Sequence, residues 1–68
     1  MDNDNMPIGF IMAIARNNDA LKYFANLDNT TINNISDYIK NSSTGDEAKE
    51  KVNTSIEGLS KQNLDFLK

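Results

Sequence analysis

The sequence predicts an all-α protein, a small bundle of four short helices. A chain of 68 residues is too short for two domains, because a domain usually has roughly 100 to 150 residues. Apolar side chains recur at helical spacing, and no stretch alternates like a β-strand. The chain has neither cysteine nor histidine, so helix packing must replace disulfides and zinc. We expect a disordered tail at 1–6 and a single helical domain over 7–68, with helices at about 7–16, 19–27, 29–40 and 45–60.

The first predicted helix, residues 7–16, starts at the only proline of the chain. Pro7 suits a first helical turn because the N–H that it lacks would be unpaired there and its φ is already helical. The eight residues that follow are apolar or glycine, so this helix has no polar face. Short neighbouring helices can enclose only part of it, and we expect the remainder to bind a partner. The predicted partner-binding residues are Phe10, Met12 and Ile14, with Phe10 and Met12 pointing outward.

The pair Asn17-Asn18 interrupts the helical pattern, because asparagine amides compete for backbone hydrogen bonds. It predicts either a kink or a new helix start, with Asn18 capping the N–H of Leu21. Apolar residues then return at helical spacing over 19–27, the second predicted helix. Its predicted inner face consists of Leu21, Phe24 and Leu27, with Ala20 allowing close approach.

The third predicted helix, residues 29–40, follows Asp28, a residue type that is common at the N-cap. Ile32, Ile35 and Ile39 recur at i, i+3 and i+7, which predicts a narrow apolar stripe that faces the core. The remaining face is polar, and we expect it to meet solvent. It consists of Thr31, Asn33, Asn34, Ser36 and Asp37.

The fourth predicted helix, residues 45–60, carries the clearest local signal. A capping box begins at Thr44, whose hydroxyl is expected to accept from the N–H of Glu47, while the Glu47 carboxylate returns to the N–H of Thr44. Gly58 either costs this helix roughly 1 kcal/mol or ends it. The predicted core face consists of Ala48, Val52, Ile56 and Leu59, with Ser55 beside them. The predicted ion pairs are Glu47–Lys51 and Glu57–Lys61, and one further docked turn is expected at Leu64 and Leu67.

Charge and residue types argue against several functions. Seven basic and ten acidic side chains give a net charge of −3, the wrong sign for binding phosphate backbones, so we do not expect nucleic acid to be the partner. Catalysis needs a base beside a nucleophile or a carboxylate with a shifted pKa. The sequence has no histidine and no glycine-rich phosphate loop. We therefore predict no enzymatic activity, no cofactor and no metal site.

The apolar segment at residues 8–15 does not predict a membrane protein. A transmembrane helix needs about 20 apolar residues, far more than this segment has. The residues before it are acidic, whereas a secretory signal has basic residues in that place. The sequence therefore predicts a cytoplasmic protein without membrane contact.

Residues 13–59 contain a series of short motifs whose spacing matches a known pattern without a gap. They are Ala13-Ile14, Asn17-Asn18, Phe24-Ala25-Asn26-Leu27, Ile35 with Tyr38-Ile39, Ser42-Ser43, Asp46-Glu47-Ala48 and Lys51-Val52. This order resembles the C-terminal helical segment of the bacteriocin-protection (YdeI/OmpD-associated) family, and the resemblance implies an all-α fold. The family has basic residues where this chain has Ser43 and Ala48, so their role is not implied here. The start, Met6-Pro7-Ile8-Gly9-Phe10-Ile11-Met12-Ala13, resembles small uncharacterised proteins of low-GC Gram-positive bacteria.

The predicted function follows from the first helix and from the chemistry that the chain lacks. We expect a protein–protein interaction module without catalytic activity, which binds an unidentified protein or a second copy of itself. The alternative is a nucleic-acid-associated regulator of a mobile element. That alternative requires a positive face despite the negative net charge.

Overall fold

Four α-helices and a final turn form the structure, so the predicted all-α fold is confirmed. The computed structural model describes residues 6–68, and no strand occurs among them. The predicted tail lies outside these residues except for Met6, which is partly buried against the core. The helices are α1 (Ile8–Ala15), α2 (Asn18–Ala25), α3 (Asn29–Lys40) and α4 (Gly45–Ser60), and a 3-10 turn follows at Asp65–Leu67.

Polar side chains define where α2 and α3 begin. The Asn17 side chain accepts from the N–H of Ala20 at 3.1 Å, so the predicted cap by Asn18 is wrong by one residue. An N-cap needs extended backbone, and Asn17 has it (φ −125°, ψ 100°), whereas Asn18 is already helical. The chain therefore starts a new helix here. Asp28 caps α3 as predicted, accepting from the N–H of Thr31 at 3.0 Å.

The start of α4 is capped, whereas the start of α1 is not. Thr44 Oγ1 accepts from the N–H of Glu47 at 3.1 Å, as predicted. The Glu47 carboxylate returns to the N–H of Ser43 at 3.2 Å, one residue earlier than predicted, and its other oxygen lies 3.4 Å from Lys51 Nζ. Pro7 precedes α1, and no side chain caps that helix. Helix α1 therefore lacks the side-chain cap that supports the start of α4.

Helix α4 contacts the other three α-helices and the final turn. Its buried face contains Val52 and Leu59, together with Ser55, whose hydroxyl donates to a carbonyl one turn earlier in α4. The predicted stripe of α3 is confirmed for Ile35 and Ile39, which are both buried. In α3 and α4, three other predicted core residues are half-buried: Ile32, Ala48 and Ile56. The buried apolar core consists of Phe10, Ile14, Ala20, Ile35, Ile39, Val52 and Leu59.

In α2 and α3, two side chains lie on the opposite side of their helix from the one predicted. Ser36 is buried because it lies four residues after Ile32 and three before Ile39, in the middle of the apolar stripe. Leu21 is 40% exposed, so its predicted place on the inner face is wrong. Ala20 of α2 is fully buried and therefore faces the core. Leu21 is the next residue around the helix, so it lies at the surface.

Helix α4 ends in a Schellman motif that reverses the chain. The N–H of Asn63 donates to the Gly58 carbonyl at 2.8 Å, and the N–H of Gln62 donates to the Leu59 carbonyl at 3.0 Å. Gln62 has the left-handed backbone that this motif requires, with φ 57°. The reversal brings the ring of Phe66 back against α4.

Gly58 lies within α4 and provides the space for this returning chain. A Cβ at Gly58 would lie 2.7 Å from Phe66 Cδ1 and 2.8 Å from the Asn63 carbonyl oxygen. The Phe66 ring also packs against Tyr38 of α3, with the ring centroids 5.5 Å apart. The predicted docking of the chain end is confirmed, and the residues that pack against the core are Leu64, Phe66 and Leu67.

Candidate functional site

The inner side of α1 belongs to the hydrophobic core. Phe10 has no exposed surface and Ile14 is 5% exposed, so the predicted outward orientation of Phe10 is wrong and neither side chain is open to a partner. The two residues are four apart and therefore share one helix face. The Phe10 ring packs against Phe24 of α2, with centroids 5.3 Å apart and planes tilted by 58°. Burial of so large an apolar ring is strongly favourable, which fixes this face inward.

The opposite side of α1 is apolar and exposed. Ile8, Ile11 and Met12 are 73%, 40% and 56% exposed, and their i, i+3, i+4 spacing places them on one face. We call these three residues the outer stripe. The outward orientation of Met12 was predicted, whereas Ile8 and Ile11 were missed. The segment has no polar side to indicate which of its faces is buried. The one signal in the sequence is Phe10, its largest side chain, which is expected to lie inside.

No charge interrupts the outer stripe, since α1 contains no charged residue. The exposed Ala15 continues the stripe by one turn. Leu21 of α2 is the one other large apolar side chain exposed in residues 6–68. No helix in this part of the chain is long and apolar enough to cross a membrane. Uncharged surface that includes methionine is typical of the centre of protein interfaces.

A groove lies beside the outer stripe, between α1 and α4, and we call it the α1–α4 groove. Its volume is about 470 Å³, and Met12 borders both surfaces. Gly9 also lines the groove, and a Cβ at this position would meet no atom within 4 Å. The apolar residues of its lining are Pro7, Met12, Ala13, Ile39, Ala48 and Val52.

Among residues 6–68, the lining of the α1–α4 groove contains two cationic side chains and no carboxylate. Arg16 and Lys49 are the charged members of the ten residues that line it. Both are exposed, and neither side chain forms an ion pair within residues 6–68. Lys51, by contrast, lies 3.4 Å from Glu47 on the same helix. The groove is therefore locally basic in a chain whose net charge is −3.

The carboxyl groups with shifted pKa values are helix caps. Hydrogen bonds from Thr31, first from its side chain and then from its N–H, lower the pKa of Asp28. The N–H of Ser43 and, after it, the ammonium of Lys51 lower the pKa of Glu47. Neither carboxylate lines the groove, and residues 6–68 contain no cluster of three metal-binding side chains. These shifts therefore reflect capping, which stabilises the charged form.

Comparison with known proteins provides no relative from which a function could be transferred. No family model matches the chain, and searches of curated proteins and of solved structures find no match. The resemblance to the bacteriocin-protection segment stays a prediction. Within residues 6–68, the outer stripe and the α1–α4 groove are two surfaces that differ from a polar, hydrated surface.

Proposed function

We propose that this chain is a bacterial, cytoplasmic protein-binding module without catalytic activity, and that the outer stripe is its contact surface. One observation carries the proposal: three large apolar side chains are exposed on one uncharged helix face. Such a face gains free energy when a second apolar surface removes it from water. Met12 adds a flexible side chain that adapts to the shape of the partner.

The partner that fits this surface is an amphipathic helix of another protein. Helix α1 has eight residues and is about 12 Å long, so its outer stripe presents only a few hundred Å². Two copies joined through their stripes would bury less than the roughly 1,000 Å² expected of a specific interface. The net charge of −3 on each copy also opposes self-pairing. A longer amphipathic helix from a different protein can also contact surface of this chain beyond α1, and it need not carry the same net charge.

Site-specific photocrosslinking in the source cells tests this proposal. A benzophenone amino acid in place of Ile11 puts the crosslinker in the outer stripe. The same amino acid in place of Asn33, an exposed residue of α3, is the matched control. We expect a partner that crosslinks from position 11 and not from position 33. Equal crosslinking from both positions would contradict the proposal.

Sedimentation of the purified partner with this chain then tests the contact. Ile8→Asp introduces a charge into the outer stripe and is expected to abolish the complex. Asn33→Asp adds the same charge elsewhere and should leave the complex intact. Because apolar contact is mostly insensitive to salt, binding should change little between about 50 and 500 mM salt. Binding of DNA or RNA that weakens steeply over this range would instead support the nucleic-acid alternative.

A further inference from the structure

The α1–α4 groove has the features of a ligand site as well. We propose that it binds an alkyl carboxylate, with the alkyl chain in the groove and the carboxylate at Arg16 and Lys49. The groove shares only Met12 with the outer stripe. This ligand site is therefore a further function that does not rest on the protein-binding proposal.

The size and the lining of the groove suit an alkyl chain. Its volume of about 470 Å³ lies within the roughly 300 to 1,000 Å³ of typical small-molecule sites. Two of its lining residues, Ile39 and Val52, are core residues that are 2% and 8% exposed. A ligand in the groove therefore rests directly on the hydrophobic core. An alkyl chain fills such a space without leaving a buried polar group unpaired.

Gly9 lines this space and has room for a larger side chain. Glycine destabilises a helix relative to alanine, and it is usually required where φ is positive or another backbone approaches closely. Neither reason applies here, since no glycine has positive φ and a Cβ at Gly9 would meet no atom within 4 Å. Gly9 lines the groove, so a larger side chain there would enter the volume assigned to the ligand.

The charge of the groove selects the head group. Arg16 and Lys49 lie in its lining without any acidic residue, and neither is neutralised by an ion pair within residues 6–68. A guanidinium donates two parallel hydrogen bonds to a carboxylate, and an ammonium adds up to three donors. An alkylammonium ion would be repelled by the same two side chains. A neutral alcohol would gain no charge-assisted hydrogen bond.

An NMR titration of the full chain with dodecanoate, below its micelle concentration, tests the proposal. We expect saturable shifts of backbone amides in the groove, and smaller shifts at the outer stripe. Dodecanol and dodecyltrimethylammonium carry the same alkyl chain without the negative charge. Each should bind at least about tenfold more weakly than dodecanoate. The amides expected to shift most are those of Gly9, Ala13, Ala48 and Val52.

Variants of the groove give the second half of the test. Gly9→Leu fills the groove and should abolish saturable binding of dodecanoate, while circular dichroism shows an unchanged helix content. Gly9→Met, which is more flexible, repeats the test if the leucine lowers the melting temperature. Replacing Arg16 and Lys49 together by glutamine should weaken dodecanoate binding about tenfold and leave dodecanol binding unchanged. Lys22→Gln is the control, because it removes an exposed cation of α2 that lies outside the groove.

Four results would overturn the ligand proposal. They are equal binding of the three alkyl compounds, shifts that do not saturate, binding that survives both Gly9 variants, and an effect of Lys22→Gln as large as that of the double variant. Binding to vesicles of phosphatidylglycerol without binding of free dodecanoate would also overturn it, in favour of a membrane surface. Ile11→Asn alters only the outer stripe and should leave dodecanoate binding intact. The two proposals can therefore fail separately.

Discussion

Helices α1 and α4 contact each other, but different interactions stabilise them. Helix α4 has 16 residues, a Thr44 cap and the Glu47–Lys51 pair. Helix α1 has eight residues and no side-chain cap or charge. A helix that short is not stable alone in water, so α1 depends on the burial of side chains such as Phe10. The comparison teaches that α4 is specified by its own residues, whereas α1 is specified by what it packs against.

The largest effect is expected inside α1, where the buried and exposed faces can be compared directly. Phe10→Ala should lower the free energy of unfolding by about 3 to 5 kcal/mol, because it leaves a cavity in the core. Met12→Ala, on the exposed face, should change it by less than about 0.5 kcal/mol. Urea denaturation of both variants measures the difference. Equal losses would mean that the assignment of the two faces is wrong.

Replacing glycine by alanine should change the stability of the fold in opposite directions at two positions. Gly58→Ala should destabilise the fold by about 1 to 3 kcal/mol, because the added methyl group meets Phe66 at 2.7 Å and the Asn63 carbonyl at 2.8 Å. Gly9→Ala should stabilise it by up to about 1 kcal/mol, since the position is open. Thermal melts followed by circular dichroism give both signs. A gain in stability from Gly58→Ala would contradict the close packing of the chain end.

The cap of α4 is expected to contribute less than the core of α1. Thr44→Ala should lower stability by about 1 kcal/mol, because the N–H of Glu47 loses its acceptor. Thr54→Ala is the matched control, since Thr54 is exposed in the middle of α4 and alanine favours a helix there. An unchanged urea midpoint for Thr44→Ala would remove this residue from the cap.

The smallest effect is expected from pH. The folded pKa values of Asp28 and Glu47 lie below their ordinary values. As the pH falls, the unfolded chain therefore binds more protons than the folded chain does. The stability that these two groups provide is present above about pH 4.3, the ordinary glutamate pKa, and is lost as pH falls through the folded values. Glu47→Gln should reduce the acid dependence of the unfolding free energy. A variant that keeps the full dependence would exclude Glu47 as a cause.

The sequence predicts a helix end well where a polar side chain accepts a hydrogen bond from a backbone N–H no more than four residues away. Asp28 caps α3 as predicted, Thr44 accepts from the N–H predicted for it, and α4 has the predicted bounds. At the Asn17-Asn18 pair the predicted cap was Asn18, whereas the backbone angles of the folded chain make Asn17 the cap. A capping hydrogen bond joins residues that are close in sequence, so an error in choosing between two neighbouring asparagines shifts the start of the helix by only one residue.

The candidate site was much harder to predict. Of the three predicted partner-binding residues, only Met12 is exposed, because an apolar segment contains no polar face that sets its orientation. The lining of the α1–α4 groove contains both Arg16, the residue after α1, and Lys49 of α4, two residues far apart along the chain. No spacing rule predicts this shared lining, since it follows from how the helices pack. The burial of a side chain and the shape of a groove depend on the tertiary structure, whereas a helix cap depends on residues that are close in sequence.

The absence of a side-chain cap on α1 has a consequence for hydrogen exchange. Its amides are protected only while the inner face remains docked, whereas those of α4 have local support as well. Regions without local support open at lower free energy than the rest of a fold. Helix α1 should therefore exchange its amide protons through partial opening, earlier than α4. Both the outer stripe and one wall of the α1–α4 groove belong to this helix, so a bound partner or ligand should slow the same amides.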